Sequence, residues 1–402
     1  MDLNSKFFLT IKVLVGIMGS LNLGLSTSFL LAKGLSFLEL SVIYSLILGT
    51  SMILEFPSGN LADRFGRKLV YSIGLLAISF QFFFYALFSN VILLYIAAVV
   101  AGIGDAFISG SLEAWLAQTE VKANKKKDFY KIFGLKSSLA SLFSIIAGVS
   151  IGIFLKTNIT YIYIAAGFVL LITSIFSIFL LKDNKGISNK TLDYTYQTVI
   201  EFIKSPTLLL LAFILSSAFA CYSLFILYWQ PMATSFHIPL HQLPLLHSAN
   251  LFGTVISSYI FSKHAQKLGL YYFLIISFIL LGSSFGLVLL LANLYTLIIS
   301  LFIFGLGYGS IIPLFFSWAA NTISAHNGAS MLSLMSSLAS LTAVITTIII
   351  GAVIDNIGLD TSLLIGLLLS ILILISITVL TKLIHSKELP LAKGTENENS
   401  IH

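Results

Sequence analysis

The sequence predicts an all-α membrane protein: twelve transmembrane helices arranged as two pseudo-symmetric bundles of six. Three observations predict it. Of the 402 residues, 57% are apolar and only 9% charged, against roughly 25% charged in a soluble domain, so much of the surface must face lipid. The apolar residues fall into runs long enough to cross ~30 Å of hydrocarbon, which takes about 20 helical residues. Two stretches in consecutive runs of the first half also recur, in the same order, in the second half. The spans must be helical, because lipid offers no partner to an unpaired backbone group.

Met1 to Lys6 lead directly into the first run, and no small-residue cleavage site follows a short apolar core, so no cleavable signal is expected. In the first half the spans read 7–31, 39–62, 69–89, 91–118, 132–155 and 160–181. In the second they read 207–230, 240–262, 270–292, 294–320, 328–353 and 361–383. The hydrophilic stretch 182–206 is a central loop, with an interfacial helix expected around Tyr194–Lys204. It separates an N-terminal bundle (1–181) from a C-terminal bundle (207–383), and a polar tail (384–402) is expected to be unstructured.

Charge placement orients the chain. Of 22 Lys and Arg residues, only Lys33 and Lys156 fall on the side reached by odd-numbered spans. By the positive-inside rule, both termini are expected in the cytoplasm, with the protein in an inner (plasma) membrane. The formal net charge of +6 sits in short loops and at helix ends, so it orients the chain and does not point to nucleic acid. The single cysteine, Cys221, excludes a disulfide framework or a cysteine metal site. His237 and His241 fall in a loop and read as surface histidines. No glycine-rich loop followed by Lys-Ser/Thr is present to cradle phosphate, and no His/Asp or Ser/His pair clusters at one interface. A pump, an enzyme, a bound cofactor and a metal centre are all unexpected. The partners implied are the lipid bilayer, a small-molecule substrate and protons, with the protein acting as a monomer.

The internal repeat is specific. AGIGDAFISGSLEAWLAQT begins at Ala101 and FGLGYGSIIPLFFSWAANT at Phe304. A shift of 203 places Gly102 on Gly305, Gly104 on Gly307, Trp115 on Trp318 and Thr119 on Thr322. The next span repeats SSLASL at Ser137 and Ser336, a shift of 199. Parallel six-helix repeats are one architecture of secondary transporters.

The loop after the second span reads GNLADRFGRK, from Gly59 to Lys68. Gly59 lets another helix approach closely. Asp63 at a helix end can accept hydrogen bonds from another helix's N-terminus, and Gly66 permits a tight turn. Arg64 and Arg67 are the only arginines in the chain, and their guanidinium forks suit bidentate carboxylate pairing. At the shift of 203 this pattern is degraded: Gly66 and Arg64 fall on Gly269 and Lys267, but Asp63 and Gly59 fall on Gln266 and Ser262.

This loop closely resembles the signature of the major facilitator superfamily, and the length, span count and midpoint loop fit along the whole chain. The resemblance implies that Gly59, Asp63, Arg64, Gly66, Arg67 and Lys68 form a conformational latch between the halves. EFPSG from Glu55 and SGSLEAW from Ser109 look like drug-efflux and related exporter branches. Many proton-driven members carry an arginine in the fourth span, four residues before a GxG pair; here that position is Ala98, so coupling through that arginine is excluded.

Ionisable groups at membrane depth are expensive and usually functional. Asp105 lies near the midplane of the fourth span, either facing a central cavity as a cation or proton site or buried against an interhelical hydroxyl. Gly102 and Gly104 are expected to keep the surface beside it open. Glu113 and Lys136 lie at matching depths on neighbouring antiparallel spans and read as a salt bridge, with direct solute binding by Lys136 as the alternative. Glu55 shares a helical face with Gly59 and Asp63, at the seam or in the cavity. In the second half, Tyr222 and Tyr308 are cavity candidates, His247 is a possible proton acceptor, and Trp229 reads as an interfacial anchor. The function expected is proton-coupled efflux of a small amphipathic or cationic compound, such as a drug or siderophore-like metabolite, by alternating access. Nutrient symport and a non-transporting receptor are the alternatives.

Overall fold

The structure, a computed structural model, describes residues 3–109, Leu112, Trp115, 126–154, 158–181, 194–322 and 328–385. No strand occurs among them. The helices are α1 (Leu3–Ala32), α2 (Phe37–Phe65), α3 (Arg67–Leu87), α4 (Val91–Ile108), α5 (Lys126–Phe154), α6 (Ile159–Leu180), α7 (Tyr194–Lys204), α8 (Pro206–Ser235), α9 (Leu243–Leu268), α10 (Leu270–Leu290), α11 (Leu294–Thr322), α12 (Gly328–Ile357) and α13 (Leu359–His385). Ten are long and apolar enough to span a membrane, and α5 adds a shorter apolar stretch at Leu139–Phe154. The remaining long helix, α9, carries His247, Ser248 and Asn250 early and Lys263, His264 and Lys267 late, which dilutes its hydropathy. The short α7 forms where an interfacial helix is expected. The polar tail beyond His385 and the loop segment 182–193 lie outside the described residues.

Helix starts at one end of the molecule, here called the Lys33 end, are capped by short polar side chains. Asn90 accepts from the amides of Ile92 and Leu93, and Asn158 accepts from Thr160. Each satisfies N–H groups that a helix's first turn leaves unpaired. At the opposite end, Gly66 (φ 105°) makes the turn between α2 and α3, and Gly269 (φ 79°) makes the turn between α9 and α10. These two glycines are related by the shift of 203, and both hold positive φ at no steric cost. The same shift relates Gly34 (φ 94°) to His237 (φ 61°), so the turn survives in the second half although its glycine does not.

The packing plan also repeats. In the first half α3 packs on α4 and α6, α2 on α4, and α1 on α5 and α6. In the second half α10 packs on α11 and α13, α9 on α11, and α8 on α12 and α13. Small residues set the closest approaches. A Cβ on Gly102 would lie 2.6 Å from the Ile47 carbonyl oxygen, and one on Gly305 would lie 2.1 Å from that of Asn250. Gly104 and Gly307 meet the Gly74 and Ser277 carbonyls in the same way, at 2.8 and 2.7 Å. Gly102 and Gly104 therefore do not keep a surface open beside Asp105; backbone of α2 and α3 fills it. Outward faces carry apolar stripes at helical spacing, such as Phe168, Ile172, Phe176 and Phe179 on α6. Such faces suit lipid.

Two seams join the sets: α2 against α12, and α5 against α9, with α1 touching α8 and α9. Between described residues, the hydrogen bonds across these seams all lie towards the Lys33 end. Ser45 Oγ donates to the Val344 carbonyl at 3.2 Å, and Ser248 Oγ donates to that of Ile145 at 3.5 Å. These two bonds are themselves related by the repeat.

Because Gly305 meets rigid backbone, Gly305→Ala should destabilise the protein by about 1–3 kcal/mol through overpacking. A Cβ on Gly59 would meet nothing within 4 Å, so Gly59→Ala should leave stability unchanged or slightly raised. Thermal melting of the purified protein in detergent distinguishes them; equal melting of both variants would contradict the packing.

Candidate functional site: a central cavity

A cavity of about 530 Å³ lies between the two sets of helices. The first half contributes α1 through Asn22 and Ser26, α2 through Tyr44, α3 through Gln81 and α4 through Asp105. The second half contributes α8 through Tyr222 and Ser223, α11 through Tyr308 and α12 through Thr347. Val15, Met18, Ile47, Phe82, Leu170 and Phe219 make much of the remaining wall. An apolar wall with a few convergent polar groups is the usual form of a small-molecule site.

Asp105 is open to the cavity. No hydrogen bond or ion pair reaches its carboxylate from a described residue, so this acid can accept a proton or a cationic group. Tyr222 and Tyr308 stack with ring centroids 4.9 Å apart, presenting an aromatic platform. Tyr44 is held in place by Ser26 and Thr27, whose hydroxyls each lie 2.8 Å from its phenolic oxygen. The Gln81 amide donates to Tyr85 Oη at 3.0 Å, and Tyr163 Oη donates to Asn22 Oδ1 at 3.3 Å.

The cavity is closed towards the Lys33 end by polar bonds between α1 and α8. Thr27 Oγ1 donates to the Ile226 carbonyl at 2.9 Å, and Gln230 Nε2 donates to that of Leu23 at 2.8 Å. Gln230 Oε1 also accepts from the Ser28 amide at 3.0 Å. The first two are mates under the shift of 203, so a pseudo-twofold runs through the closure.

The structure brings Asp105, Tyr222 and Tyr308 together and leaves Glu55 and His247 outside the lining. His247 is buried outside the lining, stacked on Trp229 at 5.6 Å, with neither ring nitrogen hydrogen-bonded to a described residue. Trp229 is fully buried, so it is a seam residue and not an interfacial anchor; α1 and α9 cover its side of α8. Glu55 is half-buried and not among the lining residues. Glu113 lies outside the described residues, and of Lys136 only the backbone of α5 is described. In the latch motif, Arg67 pairs with Asp63 at 3.0 Å across the Gly66 turn, while Arg64 stands over the Phe65 ring. Among the described residues nothing lies within 4 Å of a Cβ built on Gly59, so none of them makes the close approach its sequence allows.

Asn22, Ser26, Tyr44, Gln81, Ser223 and Thr347 were missed from sequence. The available signal was an amide or hydroxyl in mid-span, which is weaker than a charge because such groups also satisfy themselves within a helix.

The sequence model of the Major Facilitator Superfamily matches residues 7–231 and 208–400. Among curated relatives, "Uncharacterized MFS-type transporter YxaM" of Bacillus subtilis (strain 168) is 24% identical over 133 residues, 33% of this chain and 32% of its own length. "Multidrug resistance protein 2" of the same organism is 27% identical over 155 residues, 38% of each chain. The matched region thus spans only about a third of the length of these relatives. Among solved structures, nucleoside transporter NupG superposes with a TM-score of 0.78 at 13% identity, covering 95% of this chain and 100% of that one. An inward-facing, occupied bacterial homologue of the human lysosomal transporter Spinster gives 0.75 at 12% identity, covering 94% and 96%. At such identities the likeness is one of fold.

Tyr44→Phe removes the oxygen on which two buried hydroxyls converge. It should lower stability by about 1–2 kcal/mol, read as a fall in melting temperature, whereas the exposed Tyr161→Phe should change nothing. A Tyr44→Phe variant that melts with the parent would show that Ser26 and Thr27 do not depend on that oxygen.

Proposed function

The chain belongs to the Major Facilitator Superfamily, and on that premise we propose that it is a secondary transporter moving a small solute by alternating access. The bundles 1–181 and 207–383 rock about the cavity between them. The observation that carries the reading is the cavity itself: both sets of helices line it, and among the described residues its one acid has no hydrogen-bond or ion-pair partner. With the Lys33 end outside, as the positive-inside rule orients the chain, this structure is the inward-facing state. The lack of any described contact at Gly59 supports that, because the latch motif then lies at the open end.

The substrate class proposed is an amphipathic cation, exported in exchange for protons. A cationic group sits against Asp105 and a planar or apolar body sits against Tyr222, Tyr308 and Phe219; aromatic faces favour such cations. Proton and solute compete for one carboxylate, which couples their movements in opposite directions. The partial match to a multidrug resistance protein supports export. Uptake of a polar solute by symport is the second reading, favoured by the amides of Asn22 and Gln81 in the lining.

Asp105→Asn should abolish accumulation driven by a proton gradient while sparing solute exchange down its own gradient, and Asp105→Glu should retain partial coupling. Inverted vesicles with and without an imposed gradient, tested against a substrate panel, provide the assay. Concentrative transport by Asp105→Asn would move coupling to another group.

Asp63→Asn should slow turnover with insertion and folding intact, because it breaks the pair with Arg67 that organises the motif. Apparent substrate affinity should change only through the populations of the two states. Normal turnover in this variant would remove the motif from the mechanism.

A further inference from the structure

The N-terminus of α2 is completed by a residue from the other half of the chain. Ser36 and Glu39 form a capping box: Ser36 Oγ accepts from the Glu39 amide at 3.1 Å, and Glu39 Oε2 accepts from the Ser36 amide at 2.9 Å. This leaves the amides of Phe37 and Leu38 without partners inside their own turn. Asp355 of α12 takes both. Its Oδ1 accepts from the Phe37 amide at 2.9 Å and its Oδ2 from the Leu38 amide at 2.7 Å.

We propose that the Asp355 carboxylate and the α2 N-terminus form a latch that holds the Lys33 end shut, opposing the latch motif at the other end. The register is fixed by direct backbone contact. A Cβ on Gly351, one turn before Asp355, would lie 2.6 Å from the Phe37 carbonyl oxygen, so the two helices run against each other there and deliver the carboxylate to the amides. The receiving end is rigid within its own half. The Lys33 ammonium donates to the carbonyls of Tyr85, Ala86 and Phe88 at the end of α3, which ties the α1–α2 turn to that helix. A carboxylate facing a helix N-terminus also gains from the helix dipole. Both hydrogen bonds must break if the halves separate at this end, and nothing in α2 replaces the acceptor.

Among the described residues the contact occurs once. At the shift of 199 the position corresponding to Asp355 is Lys156, a cation that cannot accept from an amide. The α5–α9 seam has close contact of Gly148 and Gly152 with Pro244 and Leu245 and the Ser248–Ile145 bond. Both seams thus share glycine packing and one serine–carbonyl bond, and among the described residues the Asp355 carboxylate is an addition of the α2–α12 side alone. The consequence for transport rests on the alternating-access reading above; the contact itself does not.

The test uses the full chain in lipid nanodiscs, with Cys221 replaced by alanine and spin labels on Ser89→Cys and Ala292→Cys, exposed sites in Lys33-end loops of opposite halves. Double electron–electron resonance reads the ratio of open to closed distances without any substrate. Asp355→Asn should raise that ratio about tenfold, equivalent to about 1.4 kcal/mol, and Asp355→Glu should restore much of the closed population. Phe37→Pro deletes one donor at a helix position that tolerates proline, and the extended Ser36 (ψ 165°) before it suits proline. It should reproduce the shift, whereas Phe37→Ala, which keeps the amide, should not. Unchanged distances in Asp355→Asn and Phe37→Pro, both folded by melting and elution, would overturn the latch. If Asp355→Asn does not fold, the contrast between proline and alanine at Phe37 decides alone. A protein that shows these shifts but transports nothing keeps the latch and loses the proposed function.

Discussion

Water is absent at membrane depth, and so every backbone N–H and C=O there must be paired by the protein itself. This constraint makes the spans helical and confines unpaired amides to helix ends. There the chain spends its short polar residues: Asn90 and Asn158 on α4 and α6, and Ser36 with Glu39 on α2. It also shapes the interior. Lipid supplies no hydrophobic force between helices, so they associate through close van der Waals contact and occasional polar bonds. Carbonyls of Ile47, Gly74, Asn250 and Ser277 lie against glycines, and Ser277 meets Ser310 at 2.7 Å. A seam made of such contacts is tight where it closes and leaves little behind where it opens. That property is what the proposed alternation between two arrangements would require.

Much of the architecture was legible in the sequence because the lipid constraint acts on composition. Run lengths mark the spans, and the Arg64–Lys68 cluster marks a helix junction; the glycine pattern 102/104 and 305/307 marks both the repeat and the close approaches. What those glycines do was misread, since spacing shows that a side chain is missing but not what fills its place. The cavity was legible only where chemistry is unusual. Asp105 stands out as a carboxylate in an apolar run. Asn22, Gln81 and Tyr44 do not, because a mid-span amide or hydroxyl signals a site only when its direction is known. Trp229 shows the opposite error: an indole near a helix end has the composition of an interfacial anchor, and only packing against α1 and α9 buries it. The Asp355 contact joins residues more than three hundred positions apart, and no local pattern announces it.

The repeat explains why the two halves of the site look unalike. Duplication preserves what backbone geometry demands: the turns at Gly66 and Gly269, the glycine–carbonyl contacts, and the paired closures from Thr27 to Ile226 and from Gln230 to Leu23. Side chains facing the interior are free of that demand and have diverged. At the shift of 203, Asp105 stands where Tyr308 stands in the second half, and both line the cavity. Tyr44, bonded to Ser26, corresponds to His247, stacked on Trp229, and Ser26 corresponds to Trp229 itself. Within the cavity the first half thus presents the carboxylate of Asp105 where its mate presents the stacked rings of Tyr222 and Tyr308. The ligand class proposed above, a charged group on an apolar ring, would meet both at once. A symmetric lining of two acids would repel itself, and one of two aromatic platforms would give a cation no counter-charge. On the proposed reading, divergence of the interior within a repeated shell is what would turn a duplicated helical scaffold into a polarised binding site.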